Sequence, residues 1–174
     1  MIVTMRICAL MQKTSFVETD CPIARSLARV GEWWSILILR DALAGMTRFD
    51  EFQKSLKIAP NILTRRLSAL IDAGLLERRR YSQKPPRDDY VLTERGRDFR
   101  PVLMALLAFG NRHFAPEGAS VMIADTQTGA VAEPILIDRL TGRPLDSPVS
   151  DHSALLWTFG STLAHPPFAD RGTT

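Results

Sequence analysis

A chain of 174 residues can bury one real core, with room left for a small second element. Hydrophobic residues make up 45% and charged residues 24%, a balance that excludes a disordered or fibrous chain. The net charge of +3 hides an uneven distribution: residues 45–100 hold 13 Lys and Arg against 8 Asp and Glu, whereas residues 101–174 are acidic.

A basic middle beside an acidic tail implies a polyanionic partner for the middle alone. Two cysteines, Cys8 and Cys21, are too few for a disulfide framework or a metal cluster. No run of about 18 apolar residues is present to span a membrane, so the expected location is the cytoplasm. The start, "MIVTMRICALMQKTS", has a short apolar stretch broken by Arg6 and no convincing cleavage site. It reads as a flexible arm over residues 1–19.

In chain order, "DCPIARSLARVG" predicts a short helix. Asp20 or Cys21 serves as its cap, Pro22 takes the first helical position and Gly31 ends it. "EWWSILILRDALAG" predicts a second helix with so little polar face that it belongs at the centre of the core. "TRFDEFQKSL" predicts a third, capped by Thr47, with Asp50 and Glu51 at the positive end of its dipole. Pro60 then opens a fourth. Its buried stripe is Leu63, Leu67, Leu70 and Ile71, and Asn61, Thr64, Arg65 and Ser68 lie about half a turn away.

After Gly74, two runs bearing Leu, Tyr and Val flank "QKPPRDD", which predicts a β-hairpin with a long, rigid, basic loop. Thr93 is expected to cap a single long helix, "ERGRDFRPVLMALLAFGNRHF", with a possible kink at Pro101. Beyond Pro101 this helix is apolar nearly all round, so something must cover it, most economically its own copy in a dimer. In the tail, "MIADTQTGAV" and "LIDRLTGRPL" share an Asp-x-x-Thr-Gly repeat suited to turns, which predicts a small β meander at about 120–146.

Helix, turn, helix and basic hairpin, in that order, define a winged helix-turn-helix, which implies double-stranded DNA as partner. Asn61, Thr64, Arg65 and Ser68 would then reach base edges or phosphates from the fourth helix. Arg66, nearer the boundary between its faces, would meet a phosphate. Arg80, Lys84 and Arg87 would supply the wing's contacts. The bland alternative for paired arginines on a helix is a solvated face. A second functional reading is a winged helix that docks proteins without binding specific DNA.

The chain resembles the HxlR-type branch of the MarR-like winged-helix regulators from about Cys21 to Phe114. The resemblance rests on C-P-I at 21–23, I-L-R-D at 38–41, R-F-D-E-F at 48–52, L-T-R-R-L-S-A-L at 63–70, G-L-L-E-R at 74–78 and Y-V-L-T-E-R-G at 90–96. It implies an α+β, mainly α fold over residues 20–115, with a β-rich extension over 116–174. It also implies a bacterial homodimer joined through the first and last helices, acting on an inverted-repeat operator, more often as a repressor and not as an enzyme. Where the family usually has a capping Ser before Pro60, this chain has Ala59, a loss of about 1 kcal/mol of local stability. The tail has no Cys after position 21, so no metal and no cofactor are expected.

Cys21, at a helix N-terminus, is the one redox-sensor candidate, set against an inert packing cysteine. Cys8 could resolve a disulfide with it. Trp33 and Trp34 read as core and interface aromatics, or as the lining of a pocket for a small-molecule, aromatic effector. His113, His152 and His165 have no metal spacing and no nucleophile partner.

Overall fold

The computed structural model describes residues 22–119, 121–132 and 134–145. The expectations placed on Cys8, Cys21, His152 and His165 lie outside the described residues. The chain divides into two compact units between Met104 and Ala105.

The first unit runs α1 (Pro22–Val30), α2 (Trp33–Leu43), α3 (Phe49–Leu56), α4 (Pro60–Asp72), β1 (Leu76–Gln83), β2 (Pro86–Leu92), α5 (Glu94–Arg97) and the start of α6 (Arg100–His113). Its core is built from one stripe per helix. Ile38 and Leu39 of α2, Phe52 of α3, and Leu63, Leu67 and Leu70 of α4 are essentially sealed, together with Leu76 of β1. Burying each such side chain stabilises the fold by roughly 1.5–3 kcal/mol. The fourth-helix stripe read from periodicity is therefore the packed one, with Ile71 at its half-buried edge. Asp41 is a polar exception in this interior: it is 3% exposed, and its Oδ1 accepts from Arg40 Nε at 2.8 Å.

The start of α3 departs from expectation. Thr47 does not cap it; Arg48 occupies the cap position in extended conformation. The side chain of Glu51 turns back instead, and its Oε2 accepts from the backbone N–H groups of Thr47 and Arg48, both at 2.9 Å. Thr47 is drawn away by the sheet. Its carbonyl accepts from Tyr90 N–H at 2.7 Å, its hydroxyl donates to Asp89 at 3.3 Å, and Arg48 bridges Asp89. A single β-bridge at Arg48 thus adds to the outer edge of the two-stranded sheet, a pairing no local pattern announces.

The two backbone hydrogen bonds hold the Glu51 carboxyl below its ordinary value, chiefly the one from Arg48. A depressed carboxyl contributes stability that is present above its unfolded value and lost as pH falls through its folded one. Urea denaturation from about pH 5 down to about pH 2 should therefore show Glu51→Gln losing less stability than the parent chain. Parallel losses in the two proteins would contradict this role for Glu51.

The hairpin is also longer than expected. β1 and β2 pair antiparallel from Leu76↔Leu92 to Gln83↔Pro86, so only Lys84 and Pro85, joined by a cis peptide, form the tip. Most of the expected loop is strand because its charges pair across the ladder: Arg80 bonds Asp88, and Asp88 also faces Arg78 at 3.8 Å. The register shifts between Arg80 and Ser82, leaving Tyr81 on a bulge where Arg48 lies 5.3 Å above its ring.

Two glycines fix the hairpin's base. Gly74 adopts φ 68 and offers its carbonyl to the Thr93 hydroxyl at 2.7 Å. A Cβ on Gly96 would come within 2.1 Å of the Leu75 carbonyl oxygen, so only glycine lets these segments meet. Thr93 caps α5 as expected, accepting from Gly96 N–H at 3.1 Å. The single long helix is not formed, however. It breaks at Asp98–Phe99 and restarts at Arg100, which puts Pro101 in a first turn, where its missing N–H costs nothing.

In the second unit, the Asp-x-x-Thr-Gly repeat builds two separate turns with one bonding scheme, not a continuous meander. β3 (Ile123–Ala124) pairs with β4 (Val131–Ala132), and Ile137 bridges Pro144. In each copy the Asp N–H donates to a carbonyl five residues on, Ala130 or Arg143, at 2.8 Å. The Gly N–H in turn donates to the Asp carbonyl. The Asp125 and Asp138 carboxylates accept from the turn amides and the Thr hydroxyls, and these bonds hold both carboxyls below their usual range. Gly129 and Gly142 take φ 71 and 69. A cavity of about 380 Å³ lies between the C-terminal half of α6 and the first turn, lined by Leu107, Asn111, Met122, Ile123 and Val131 among others.

Candidate nucleic-acid interface

The connection from α3 to α4 is tight. Lys57 closes α3 in the left-handed region at φ 50, Ile58 is buried, and Pro60 begins α4. With no side chain at Ala59 to cap the helix, the Asn61 Oδ1 accepts the Ile62 N–H at 2.9 Å. The Thr64 hydroxyl donates back to the Pro60 carbonyl at 2.9 Å. These local bonds leave the Asn61 amide hydrogens and the acceptor lone pairs of the Thr64 hydroxyl oxygen available to an incoming partner.

Asn61, Thr64, Arg65 and Ser68 are all exposed, and they form the outer face of α4. Arg65 has no ion pair among the described residues. Its neighbour differs sharply. The Arg66 side chain is only 15% exposed, and its terminal nitrogen sits 2.8 Å from Glu32 at the head of α2.

The wing's cations divide in the same way. Arg80 is held by Asp88 through Nε at 2.8 Å and a terminal nitrogen at 3.4 Å, and that pairing keeps the Asp88 carboxyl below its ordinary range. Arg79 is paired with Glu77. Lys84, in the tip, and Arg87, in β2 beside it, are exposed and have no ion pair among the described residues. Arg48, over Tyr81, adds a cation to this surface that sequence reasoning missed, because its placement depends on the bridge it makes to Asp89 across the chain.

The site therefore offers a helix face of neutral hydrogen-bonding groups around one unpaired arginine, with further cations on a projecting hairpin. This is the equipment of a winged-helix DNA-binding protein. A helix of this width fits the major groove, amides and hydroxyls meet base edges there, and unpaired cations displace counterions from phosphates.

Comparison with known proteins places it further. The sequence profile of the HxlR-like helix-turn-helix matches residues 29–118, and the chain belongs to that family. The uncharacterised HTH-type transcriptional regulator Rv3095 of Mycobacterium tuberculosis is 38% identical over 116 residues, which cover 66% of this chain and 73% of that protein. The crystal structure of PA1607, assigned as a transcription factor, aligns with a TM-score of 0.69 at 37% identity, covering 77% of this chain and 94% of the other. PA1374 of Pseudomonas aeruginosa, assigned likewise, is 52% identical with a TM-score of 0.56, covering 82% and 95%. The chain is a DNA-binding transcriptional regulator of the winged-helix kind. No described helix is long and apolar enough to cross a membrane.

Proposed function

We propose that this protein acts as a homodimeric, non-enzymatic repressor in the cytoplasm, reading an inverted-repeat operator through α4 and its wing. The observation that carries the reading is the outward face of α4: Asn61, Thr64, Arg65 and Ser68 stand exposed on the fold that carries the hairpin cations Lys84 and Arg87. Arg66 and Arg80, expected as direct contacts, are each paired with a carboxylate in the free chain, Arg66 with Glu32 and Arg80 with Asp88.

Dimerisation is supported by apolar side chains that the single chain leaves uncovered. On α6, Val102, Leu106 and Phe109 recur at four and three residues and are 47%, 46% and 55% exposed. On α1, Ile23 and Leu27 are half exposed. Such stripes on a small domain mark an interface, and a twofold dimer imposes twofold symmetry on its DNA.

The test is selection from fragmented genomic DNA of the source organism, followed by gel shift of the enriched fragments. Enriched sites should carry inverted half-sites about one helical turn, or a multiple of it, apart. No enrichment by a dimer of verified fold would instead favour the protein-docking reading.

Two signals fit this reading. A redox or electrophilic one would enter at Cys21, which immediately precedes α1. A small aromatic effector would enter beside Trp33, which is 61% exposed and whose ring stacks on that of Trp34 with centroids 4.0 Å apart. Diamide should weaken operator binding by the parent chain and spare Cys21→Ser. Equal weakening of both would exclude Cys21 as the sensor.

A further inference from the structure

We propose that Arg66 is a positioning residue: clamped by Glu32, it sets α4 against the start of α2 and leaves Arg65 as the DNA-facing cation of that helix. The inference rests on the DNA-binding reading and assigns within it which of two adjacent arginines meets DNA.

Consecutive helix residues point about 100° apart, so Arg65 and Arg66 cannot share a direction. Arg65 points outward and is exposed. Arg66 lies between the buried stripe and the surface, 15% exposed, and its Nε is sealed from solvent with no partner among the described residues. A guanidinium already stripped of most of its water is held by its carboxylate partner, and swinging out to a phosphate would break that pair.

Glu32 is placed for the task. It occupies the cap position of α2 in extended conformation, yet its side chain makes no cap hydrogen bond to that helix. Its carboxylate reaches across to Arg66 instead, at 2.8 Å. The pair therefore ties the head of α2, which follows α1 directly, to the middle of the recognition helix. No other ion pair described joins α4 to another element.

Substitution separates this role from a masked phosphate contact, because the two accounts differ in sign. If Glu32 merely masked a DNA-binding cation, Glu32→Gln would raise affinity and steepen its salt dependence. A positioning role predicts the reverse for specific DNA. Affinity for the selected operator should fall about tenfold, with affinity for random DNA and the slope of log K against log salt nearly unchanged. Arg66→Lys, which keeps the charge and loses the planar fork, should behave in the same way.

The charge-swapped double variant, Glu32→Arg with Arg66→Glu, restores the pair with reversed polarity. It should recover specific binding relative to Arg66→Glu alone, which a direct phosphate contact could not do. Circular dichroism confirms the fold of each variant, and Glu32→Gln decides the matter alone if the Arg66 variants do not fold, since Glu32 is 57% exposed. Tighter binding by Glu32→Gln, or a swap no better than Arg66→Glu, overturns the proposal. Failure of the parent chain to bind any selected site would instead count against the DNA-binding reading itself.

Discussion

Replacing Leu106 with Glu should give a folded monomer whose operator affinity is lower by about two orders of magnitude. The argument starts from exposure. Leu106 is 46% exposed and sits between Val102 and Phe109 on one stripe of α6, so a carboxylate there remains hydrated in the single chain and the fold survives. In a dimer the same carboxylate would be pressed into an apolar contact without a partner, where an unpaired buried charge costs several kcal/mol. A monomer engages one half-site at a time and loses the gain from binding two linked sites, typically 10²- to 10⁴-fold. Sedimentation and gel shift measure the two effects together. Leu103, on the same helix but buried, supplies the contrast: a Glu there should unfold the domain. A Leu106→Glu protein that sediments as the parent does would remove α6 from the interface.

The second large effect is expected at Arg65. Its replacement with Ala should cost roughly 1–3 kcal/mol on the preferred site, relax discrimination at the base it meets and reduce the salt slope by about one. Removing Lys84 and Arg87 together should act differently. Lys84 in the tip and Arg87 beside it in β2 would, on the proposed reading, meet backbone phosphates, so specific and random DNA should weaken alike and the slope should fall by about two. Titrations of all three proteins over a salt series measure these slopes directly. Equal losses on specific and random DNA for Arg65→Ala would reduce it to a phosphate contact.

What the sequence revealed followed from how far each interaction reaches. The helix pair was legible because Leu63, Leu67 and Leu70 repeat at helical spacing, so the outward side follows by geometry. The Asp-x-x-Thr-Gly turns were legible because an Asp carboxylate bonds amides two and three residues ahead. Interactions that cross the chain were not legible. The partner of Arg66 is a glutamate two helices earlier, and the bridge at Arg48 exists only because Thr47 and Tyr90 meet. The shortness of the hairpin tip was hidden for a related reason. Charges that looked like loop residues satisfy one another across the ladder, as Arg80 and Asp88 do. Pro101 is visible in the sequence, but the helix breaks just ahead of it because proline is tolerated in a first turn.

Hydrogen exchange on the protein, with and without its selected operator, tests the central claim most directly. If the outer face of α4 and the hairpin tip contact the DNA, amides at the start of α4 and at Gln83, Lys84 and Arg87 slow on binding, while those of the tail turns around Asp125 and Asp138 do not. Slowing confined to the tail, with α4 and the tip unchanged, would contradict the assignment of this face as the surface that reads DNA.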